Sequence, residues 1–333
     1  MGKFFCTQNW RIERMNQDVI RINARVCEVQ REMYTVQCEY GNVNAKLKGT
    51  FYKTKENQNY PVVGDEVTIQ YNANGNSIIE TVKERKSFFS RTDFSGHAAG
   101  YVKTLKEQVV AANFDYVFIL SALNKEFNLK RITRYVSVAM KSGGKPVVVL
   151  TKSDLCEDIN VHVNQVKQIS DKIDVIAISS VTGAGMEQLN SYMKQGITIV
   201  FLGSSGVGKS TLVNALAGKE IMAVRNIRED DSKGRHTTTH RQLVTLPSGV
   251  VVIDTPGMRE LGLWDAGDGI DDTFEDITQS IGQCKYRNCS HTSEPGCFIR
   301  QALAEGTITQ VRWNEYCKLK QENEWGLRKS QKK

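Results

Sequence analysis

The residues with the clearest chemical potential form a glycine-rich run that opens a helical pattern, Gly203-Ser204-Ser205-Gly206-Val207-Gly208-Lys209-Ser210-Thr211. The run matches the phosphate-loop pattern, in which glycines let the backbone wrap around phosphates and the N–H groups of the helix bind their charge. Lys209 then contacts the β- and γ-phosphates, and the Ser210 hydroxyl binds Mg²⁺. A turn without a ligand is the alternative, but the apolar run before the loop argues against it. The run predicts a nucleoside-triphosphate site.

A second motif, Asp254-Thr255-Pro256-Gly257, directly follows an apolar run that ends at Ile253. Asp254 at that place can hold Mg²⁺ through water, and the Gly257 N–H can contact the γ-phosphate. The motif alone is typical of a turn. Its distance of one strand–helix–strand unit from the phosphate loop makes a phosphate-sensing role the stronger interpretation.

Between these motifs, Gly234-Arg235-His236-Thr237-Thr238-Thr239 predicts a first switch loop, with an edge strand as the alternative. We assign a Mg²⁺ contact to Thr238, although the sequence does not decide among the three threonines. Met258 stands where many GTPases carry a water-orienting glutamine, and a methionine cannot orient water. His236 is the nearest candidate for that role, with an ordinary polar loop residue as an equal alternative. We therefore expect slow turnover that a partner raises, with a catalytic set of His236, Lys209 and Asp254.

Base selection is predicted from Thr151-Lys152-Ser153-Asp154, which follows an apolar run. Asp154 can accept hydrogen bonds from N1–H and the 2-amino group of guanine, whereas adenine would leave the carboxylate partly unpaired. The stem of Lys152 can lie across the base. A second base-contacting loop is expected at Ser179-Ser180, and the two loops together favour guanine. A solvated turn is the alternative for the four residues alone.

Three cysteines and one histidine cluster near the C-terminus, at Cys284, Cys289, His291 and Cys297. Three thiols and one imidazole fill a tetrahedral zinc shell and leave no position for water, which predicts structural zinc. Because few apolar residues surround the cluster, the metal would supply folding free energy. Free thiols gathered by chance are the alternative. The residues that flank the cluster suit contact with a phosphate backbone: Lys285, Arg287, Asn288 and Arg300.

The elements that must position these residues fall into three parts. Up to about residue 90, short apolar runs alternate with turns and predict a small all-β barrel or sandwich, with an OB-type barrel as one candidate. From about residue 110, apolar runs alternate with helical patterns and predict a parallel sheet covered on both faces. After about residue 268, the cysteine cluster and a charged helical tail replace the sheet pattern. We therefore predict domains at 1–90, 91–267 and 268–333.

The order of the motifs is rotated, because the Thr151 motif precedes the phosphate loop, whereas in ordinary small GTPases it follows. A parallel sheet tolerates such a rotation when the original chain ends lie close together. The predicted fold is therefore a circularly permuted α/β P-loop GTPase domain between an N-terminal barrel and a C-terminal helical zinc module. In this order, the segment after Asp254 runs directly into the C-terminal module.

Composition sets wider bounds. Of 333 residues, 40% are apolar and 24% are charged, as in ordinary globular proteins, and the net charge of +7 favours a polyanionic partner. No apolar run approaches the roughly 20 residues of a membrane span, and charged residues interrupt the N-terminus before any signal-like stretch. With the cysteines interpreted as reduced thiols plus one metal site, we expect a cytoplasmic protein without a membrane partner.

Together these motifs resemble the ribosome small-subunit-dependent GTPase A family of bacteria (RsgA, YjeQ/YloQ). The resemblance covers nearly the whole chain, including Arg91-Thr92-Asp93, the loop 234–239, the Asp254 motif and the four metal ligands. One departure is Thr151, where the base motif often has asparagine. The family implies an OB-fold barrel, a circularly permuted GTPase, late maturation of the small ribosomal subunit, binding to its rRNA and GTP hydrolysis stimulated by that subunit.

Carried over by position, the resemblance implies that residues 151–154 and 203–211 bind GTP and that the four clustered ligands bind zinc. The expected partners are GTP or GDP and the small subunit with its rRNA, and a monomer is expected. A guanine-nucleotide-dependent binding module for a protein partner, with incidental hydrolysis, is the alternative function. An ATP-driven enzyme is a third one.

Overall fold

A computed structural model of the chain describes residues 20–30, 33–52, 60–93, 106–222, 241–254 and 267–331. Within those ranges, every helix falls short of the length or apolarity that a bilayer crossing needs. From its N-terminal end, the described chain forms a barrel, a hairpin, a mainly parallel sheet with flanking helices, and a helical module.

The N-terminal part is a closed barrel. Its strands are β1 (Arg21–Gln30), β2 (Met33–Cys38), β3 (Gly41–Leu47), β4 (Glu66–Gln70) and β5 (Ser77–Val82), with a 3-10 turn at Gly49–Tyr52. They pair in the order β1-β2-β3-β5-β4, and β4 pairs back onto β1. The first half of β1 pairs with β4 and its second half with β2, with a bulge after Val26. Because the sheet closes on itself, the predicted barrel is confirmed over the sandwich.

The second sheet carries the predicted nucleotide motifs. Its strands are β8 (Tyr116–Ala122), β9 (Lys145–Thr151), β10 (Asp174–Ala177), β11 (Thr198–Leu202), β12 (Arg241–Thr245) and β13 (Val251–Asp254). They lie in the order β10-β9-β8-β11-β13-β12, in which β12 alone is antiparallel to its neighbour. The predicted parallel sheet is therefore confirmed, with the apolar runs forming β8, β9, β10, β11 and β13.

Helices cover both faces of this sheet. They are α1 (Leu129–Lys141), α2 (Ile159–Lys167) and α3 (Lys209–Ala217), with 3-10 turns at Ser153–Leu155 and Met186–Tyr192. Alternate residues of β8 face opposite cores: Val117 and Ile119 pack with α1 and α2, whereas Phe118 and Leu120 pack with α3. This period of two places apolar side chains on both faces, which explains the nearly continuous apolar strands.

Three strands lie outside what the sequence analysis predicted. β6 (Phe88–Asp93) and β7 (Lys106–Ala112) form an antiparallel hairpin that continues through the predicted boundary between 90 and 91. β12 pairs with β1 of the barrel through Glu28 opposite Gln242 and Val29 opposite Arg241. That pairing joins the barrel and the nucleotide-binding sheet into one 11-stranded sheet.

A partly buried arginine reinforces this junction. The Arg25 guanidinium of β1 donates to the Asn113 carbonyl at 3.0 Å and to the Thr198 hydroxyl at 2.9 Å. Burial lowers the pKa of Arg25, and nearby Cys27 and Asp115 oppose that shift. Since Thr198 begins the strand that leads to the phosphate loop, the barrel is attached to the nucleotide-binding sheet at its centre.

The C-terminal module consists of four helices, α4 (Gly267–Thr273), α5 (Glu275–Ile281), α6 (Phe298–Glu305) and α7 (Gln310–Gln331). They enclose a separate core that includes Ile270, Phe274 and Ile299. α4 packs closely on α1, because a Cβ at Gly269 would lie 2.0 Å from the Ser137 carbonyl oxygen. Only glycine allows this approach, so the module is tightly packed against the nucleotide-binding domain.

Arg312 of α7 links the C-terminal module to the nucleotide-binding domain. The Arg312 guanidinium forms two hydrogen bonds of 2.7 Å with Asp276 and lies 4.8 Å from the centre of the Phe274 ring. It also donates to the carbonyls of Gln168 and Ile169, just beyond α2, at 3.1 and 3.0 Å. A planar guanidinium with several donors can satisfy all these partners at once.

Replacing Arg312 with alanine is expected to lower the free energy of unfolding of the C-terminal module by about 1–3 kcal/mol. The variant leaves the Asp276 carboxylate and the two carbonyls without their shared donor. Urea titration followed by tryptophan fluorescence measures the change. Arg328→Ala is the matched control, since among the described residues Arg328 forms an exposed pair with Glu324 on the same helix and no other ion pair, and a change within about 0.5 kcal/mol is expected. An equal decrease in the free energy of unfolding in Arg312→Ala and Arg328→Ala would contradict a specific contribution from Arg312.

Candidate nucleotide and metal sites

The phosphate loop joins β11 to α3 at the carboxyl edge of the parallel strands. Gly203 lies where a Cβ would come within 2.9 Å of the Leu120 carbonyl oxygen, so a larger residue would push the loop off β8. Gly208 precedes α3 with φ 100°, a conformation that favours glycine. The N–H groups of the first turn of α3 are thereby directed into the loop, which is the arrangement that binds phosphate.

Lys209, the first residue of α3, folds back over this loop. Its ammonium group donates to the carbonyls of Gly203 and Ser204 at 2.8 and 2.9 Å. These contacts hold the ammonium group above the loop backbone. A β- or γ-phosphate in the loop would offer stronger, charge-assisted partners for the same group.

The Thr151 motif lies beside the phosphate loop. The buried Thr151 hydroxyl donates to the carbonyl of Val207 at 2.6 Å, although 56 positions separate the two residues. Lys152 has φ 58°, a left-handed conformation that is uncommon outside glycine and often found at ligand sites. Asp154 follows in the 3-10 turn after β9, where it is exposed.

The second predicted base loop is tied to the first. The Ser153 N–H donates to the Ile178 carbonyl at 3.1 Å, at the end of β10. The next residue, Ser179, is fully buried, and its hydroxyl accepts from the Thr182 N–H at 3.2 Å in a tight turn. Ser180 lies in the same turn. The structure therefore brings residues 151–154, 179–180 and 203–211 to one edge of the sheet.

The remaining predicted nucleotide contacts are described only in part. The backbone of Asp254 ends β13, and the register of Ile253 beside Val200 places it at the same carboxyl edge as the phosphate loop. His236, Thr238 and Gly257 lie outside the described residues.

The four predicted metal ligands converge. The ligand atoms of Cys284, Cys289, His291 and Cys297 all lie within 4.8 Å of one another. The His291 Nδ1 atom is 3.6 Å from the Cys284 sulfur and 3.5 Å from the Cys297 sulfur. Tetrahedral zinc, with Zn–S of about 2.3 Å and Zn–N of about 2.0–2.1 Å, separates a sulfur from a nitrogen by about 3.6 Å. The residues therefore fit zinc.

Comparisons with known proteins agree with this geometry. The profile of the RsgA GTPase family matches residues 82–264, more than half of the chain. "Small ribosomal subunit biogenesis GTPase RsgA 2" of Lactiplantibacillus plantarum is 42% identical over 303 residues, which cover 91% of this chain and 83% of the relative. A relative named "Small ribosomal subunit biogenesis GTPase RsgA" from Methanosarcina acetivorans is 38% identical over 272 residues, covering 81% and 72%. The chain belongs to the RsgA GTPase family.

Solved structures add the fold of this RsgA-family chain. The crystal structure of YjeQ from Thermotoga maritima matches with a TM-score of 0.69 and 27% identity, covering 91% of this chain and 99% of that one. YloQ, described as a circularly permuted GTPase, matches with a TM-score of 0.61 and 23% identity over 93% and 98% of the two chains. The predicted circular permutation of the GTPase fold is thereby confirmed.

The thiols of the cysteine–histidine cluster in this RsgA-family chain ionise unequally. Burial opposes ionisation of Cys284, but backbone N–H groups, first that of Ile299 and then that of Phe298, outweigh it and lower the pKa of this thiol. The pKa of Cys289 is raised to about 11, chiefly by desolvation, and the neighbouring thiols add to the shift. Bound zinc would favour the thiolate form of each ligand.

Two functional contacts of this RsgA-family chain were missed from the sequence. The Thr151 hydroxyl donates to the phosphate loop, whereas the sequence had placed Thr151 only in the base-contacting motif. Trp313 of α7 meets the His291 ring edge-to-face, with ring centres 5.5 Å apart, and so connects the metal cluster to the long C-terminal helix. In the sequence, the hydroxyl group of Thr151 is the only feature that could have indicated the contact with the phosphate loop. No feature of the sequence indicates the contact between Trp313 and His291.

Replacing Thr151 with valine is expected to weaken GTP binding about 5- to 10-fold. Valine keeps the side-chain shape but leaves the Val207 carbonyl without its donor, which loosens the phosphate loop. Titration with a fluorescent guanine nucleotide measures the change. Thr151→Ser keeps the hydroxyl and serves as the control; if it loses as much affinity as the valine variant, the hydrogen bond is not the cause.

Proposed function

We propose that this RsgA-family chain hydrolyses GTP to GDP and phosphate in a cycle that is coupled to binding and late maturation of the small ribosomal subunit. The hydrogen bond between Thr151 and Val207 supports the nucleotide part of this proposal, because it joins the predicted base-selecting motif to the phosphate loop. The names of the relatives support the ribosomal part.

In the proposed nucleotide site, residues 203–211 and Gly257 bind the phosphates, while residues 151–154 with Ser179 and Ser180 bind the guanine. Asp154 accepts from N1–H and the 2-amino group, and its exposed position leaves the carboxylate available to a ligand. Ser210, Thr238 and Asp254 hold Mg²⁺, which neutralises phosphate charge when it is bound with GTP. The two base loops share a hydrogen bond between Ser153 and Ile178, so guanine would meet a preorganised surface.

Hydrolysis is proposed to be slow in the free protein and faster on the subunit. Lys209 and Asp254 stabilise the phosphate charge, but the residue after Gly257 is Met258, which cannot orient the attacking water. His236 is proposed for that role. A partner that positions the switch loop would then raise the rate, as the family resemblance implies.

The C-terminal cluster is proposed to bind one structural zinc ion. Its four protein ligands complete a tetrahedral shell, so no coordination position is left for a substrate or water. Lys285, Arg287 and Arg300 are exposed around the cluster, and Tyr286 beside them is 45% exposed. Basic and aromatic side chains together suit an RNA backbone and its bases. The module is therefore proposed as one rRNA-binding surface, with the barrel as another, in a monomeric cytoplasmic protein.

The proposed function is tested by multiple-turnover GTP hydrolysis with and without purified small subunits. Stimulation by small subunits but not by large ones is expected, together with co-sedimentation that is stronger with a non-hydrolysable GTP analogue than with GDP. An unchanged rate and equal sedimentation in both nucleotide states would favour a guanine-nucleotide-dependent binding module instead. Competition by ATP as effective as that by GTP would overturn the guanine site.

A further inference from the structure

Two tyrosines, Tyr40 exposed and Tyr71 half-buried, form a stacked pair at one end of the barrel. Tyr40 lies in the turn between β2 and β3, and Tyr71 is the first residue after β4. Their rings are 4.4 Å apart between centres, with an angle of 22° between planes. Tyr40 is 54% exposed, so ring surface stays open to solvent. Exposed aromatic rings held in a stack offer a further flat ring a place to bind.

The barrel fixes the position of both rings. The N–H of Tyr71 donates to the Ile20 carbonyl at 2.8 Å, next to the start of β1. Tyr40 is held by the pairing of Cys38 with Gly41, where Gly41 has φ 90° and reverses the chain. The pair therefore lies near the beginning of β1, whereas the residues of β1 that pair with β12 lie near its end. The pair is therefore separated along β1 from the contact with β12.

The loop after Tyr71 adds exposed amides beside the rings. It contains Asn72, Asn74 and Asn76, all exposed. The N–H of Asn74 donates to the Asn72 side chain at 3.0 Å, and the N–H of Asn72 donates to the Ser77 hydroxyl at 3.2 Å, which orders the loop. Within the described residues, the side-chain amides of Asn74 and Asn76 have no hydrogen-bond partner. Asparagine amides can donate to and accept from the edge of a nucleobase.

We propose that Tyr40 and Tyr71 form a stacking platform for an unpaired RNA base, whose edge the amides of Asn74 and Asn76 can bond. The partner rests on the proposed function, in which the RNA belongs to the small subunit. Flat aromatic surface with uncharged amides matches a base better than it matches a phosphate, and the loop that follows the fourth strand is a usual nucleic-acid-binding element of five-stranded barrels. The chain as a whole carries a net charge of +7, which favours a polyanionic partner such as RNA.

The experiment measures binding of the full chain to a labelled, unstructured 12-nucleotide RNA by fluorescence anisotropy. Tyr40→Leu and Tyr71→Leu are each expected to weaken binding by about 5- to 100-fold, because leucine keeps apolar bulk but offers no π face. Tyr40→Phe keeps the stack and is expected to stay within about twofold of the parent. Since stacking involves no ion release, the slope of affinity against salt concentration should not change.

Tyr52 provides the matched control, because it is 57% exposed on the same barrel and has no ring stack within the described residues. Tyr52→Leu should bind the RNA like the parent, and thermal melting of all variants should match it. An RNA oligomer that contains 4-thiouridine should crosslink on irradiation to a peptide with Tyr40 or Tyr71. Leucine variants that bind RNA like the parent, or an equal loss in Tyr52→Leu, would overturn the platform.

A parallel co-sedimentation assay with small subunits separates this proposal from the proposed function. If subunits neither bind nor stimulate the parent protein, the ribosomal function fails, while the oligomer assay still tests the platform. If subunits stimulate the parent and the leucine variants equally and RNA binding is unchanged, the platform fails and the function stands. If the leucine variants no longer bind subunits but still bind the RNA oligomer like the parent, the tyrosines would contact a protein of the subunit. That result would also overturn the proposal.

Discussion

Replacing Asp154 with asparagine is expected to lower the affinity for GTP by at least about 100-fold and to create affinity for xanthosine triphosphate. The aspartate carboxylate can only accept, which suits the N1–H and 2-amino donors of guanine. An asparagine amide offers one donor and one acceptor, which suits the 2-oxo group and N1–H of xanthine. The hydrogen bond from Thr151 to Val207 would still hold the loop, so the change should be one of specificity.

Competition between a fluorescent guanine nucleotide and unlabelled GTP, XTP or ATP measures this exchange. The matched control is Asp158→Asn, four residues further along the chain, because the Asp158 side chain makes no capping hydrogen bond to α2. The control should keep the GTP affinity of the parent. An Asp154→Asn protein that binds GTP as tightly as the parent would remove Asp154 from the base site and with it the guanine assignment.

The nucleotide-binding core could be predicted from the sequence because its signals are local. A phosphate loop needs glycines, a lysine and a serine at fixed spacing, and the apolar run before it and the helix after it confirm the context. The parallel strands are apolar on both faces, so each is visible as a continuous run. The four predicted zinc ligands lie within a short segment, where three cysteines and one histidine are rarely gathered without a metal.

The contacts that join these parts could not be predicted in the same way. β12 has the sequence Arg-Gln-Leu-Val-Thr, which is too short and too polar to stand out as a strand, and its partners lie far away in sequence. Arg312 looks like any charged residue of a polar helix until Asp276 and the carbonyls after α2 come within reach. Such pairings depend on tertiary packing, which overrides local propensity.

Replacing Cys297 with serine is expected to unfold the part of the C-terminal module around the proposed zinc site. Cys297 is buried and precedes α6, and its sulfur lies 3.5 Å from the His291 ring nitrogen. A structural zinc ion, if bound, would contribute on the order of 10 kcal/mol to the folding of such a module, and Cys297 also packs in the module's apolar core. Loss of the ligand should therefore release Trp313 from His291 and loosen α7.

Elemental analysis of the purified protein should find about one zinc per chain in the parent and markedly less in Cys297→Ser. Limited proteolysis should cut the variant between residues 284 and 305 and leave the nucleotide-binding domain intact, because that domain has its own cores.

GTP hydrolysis without subunits should change less than about threefold in Cys297→Ser. Stimulation by subunits should be lost, since the exposed basic residues around the cluster lose their arrangement. Cys317→Ser is the control within the same module, because Cys317 lies outside the ligand cluster and should keep zinc and protease resistance. Full zinc content in Cys297→Ser would show that the four side chains do not act as one metal site.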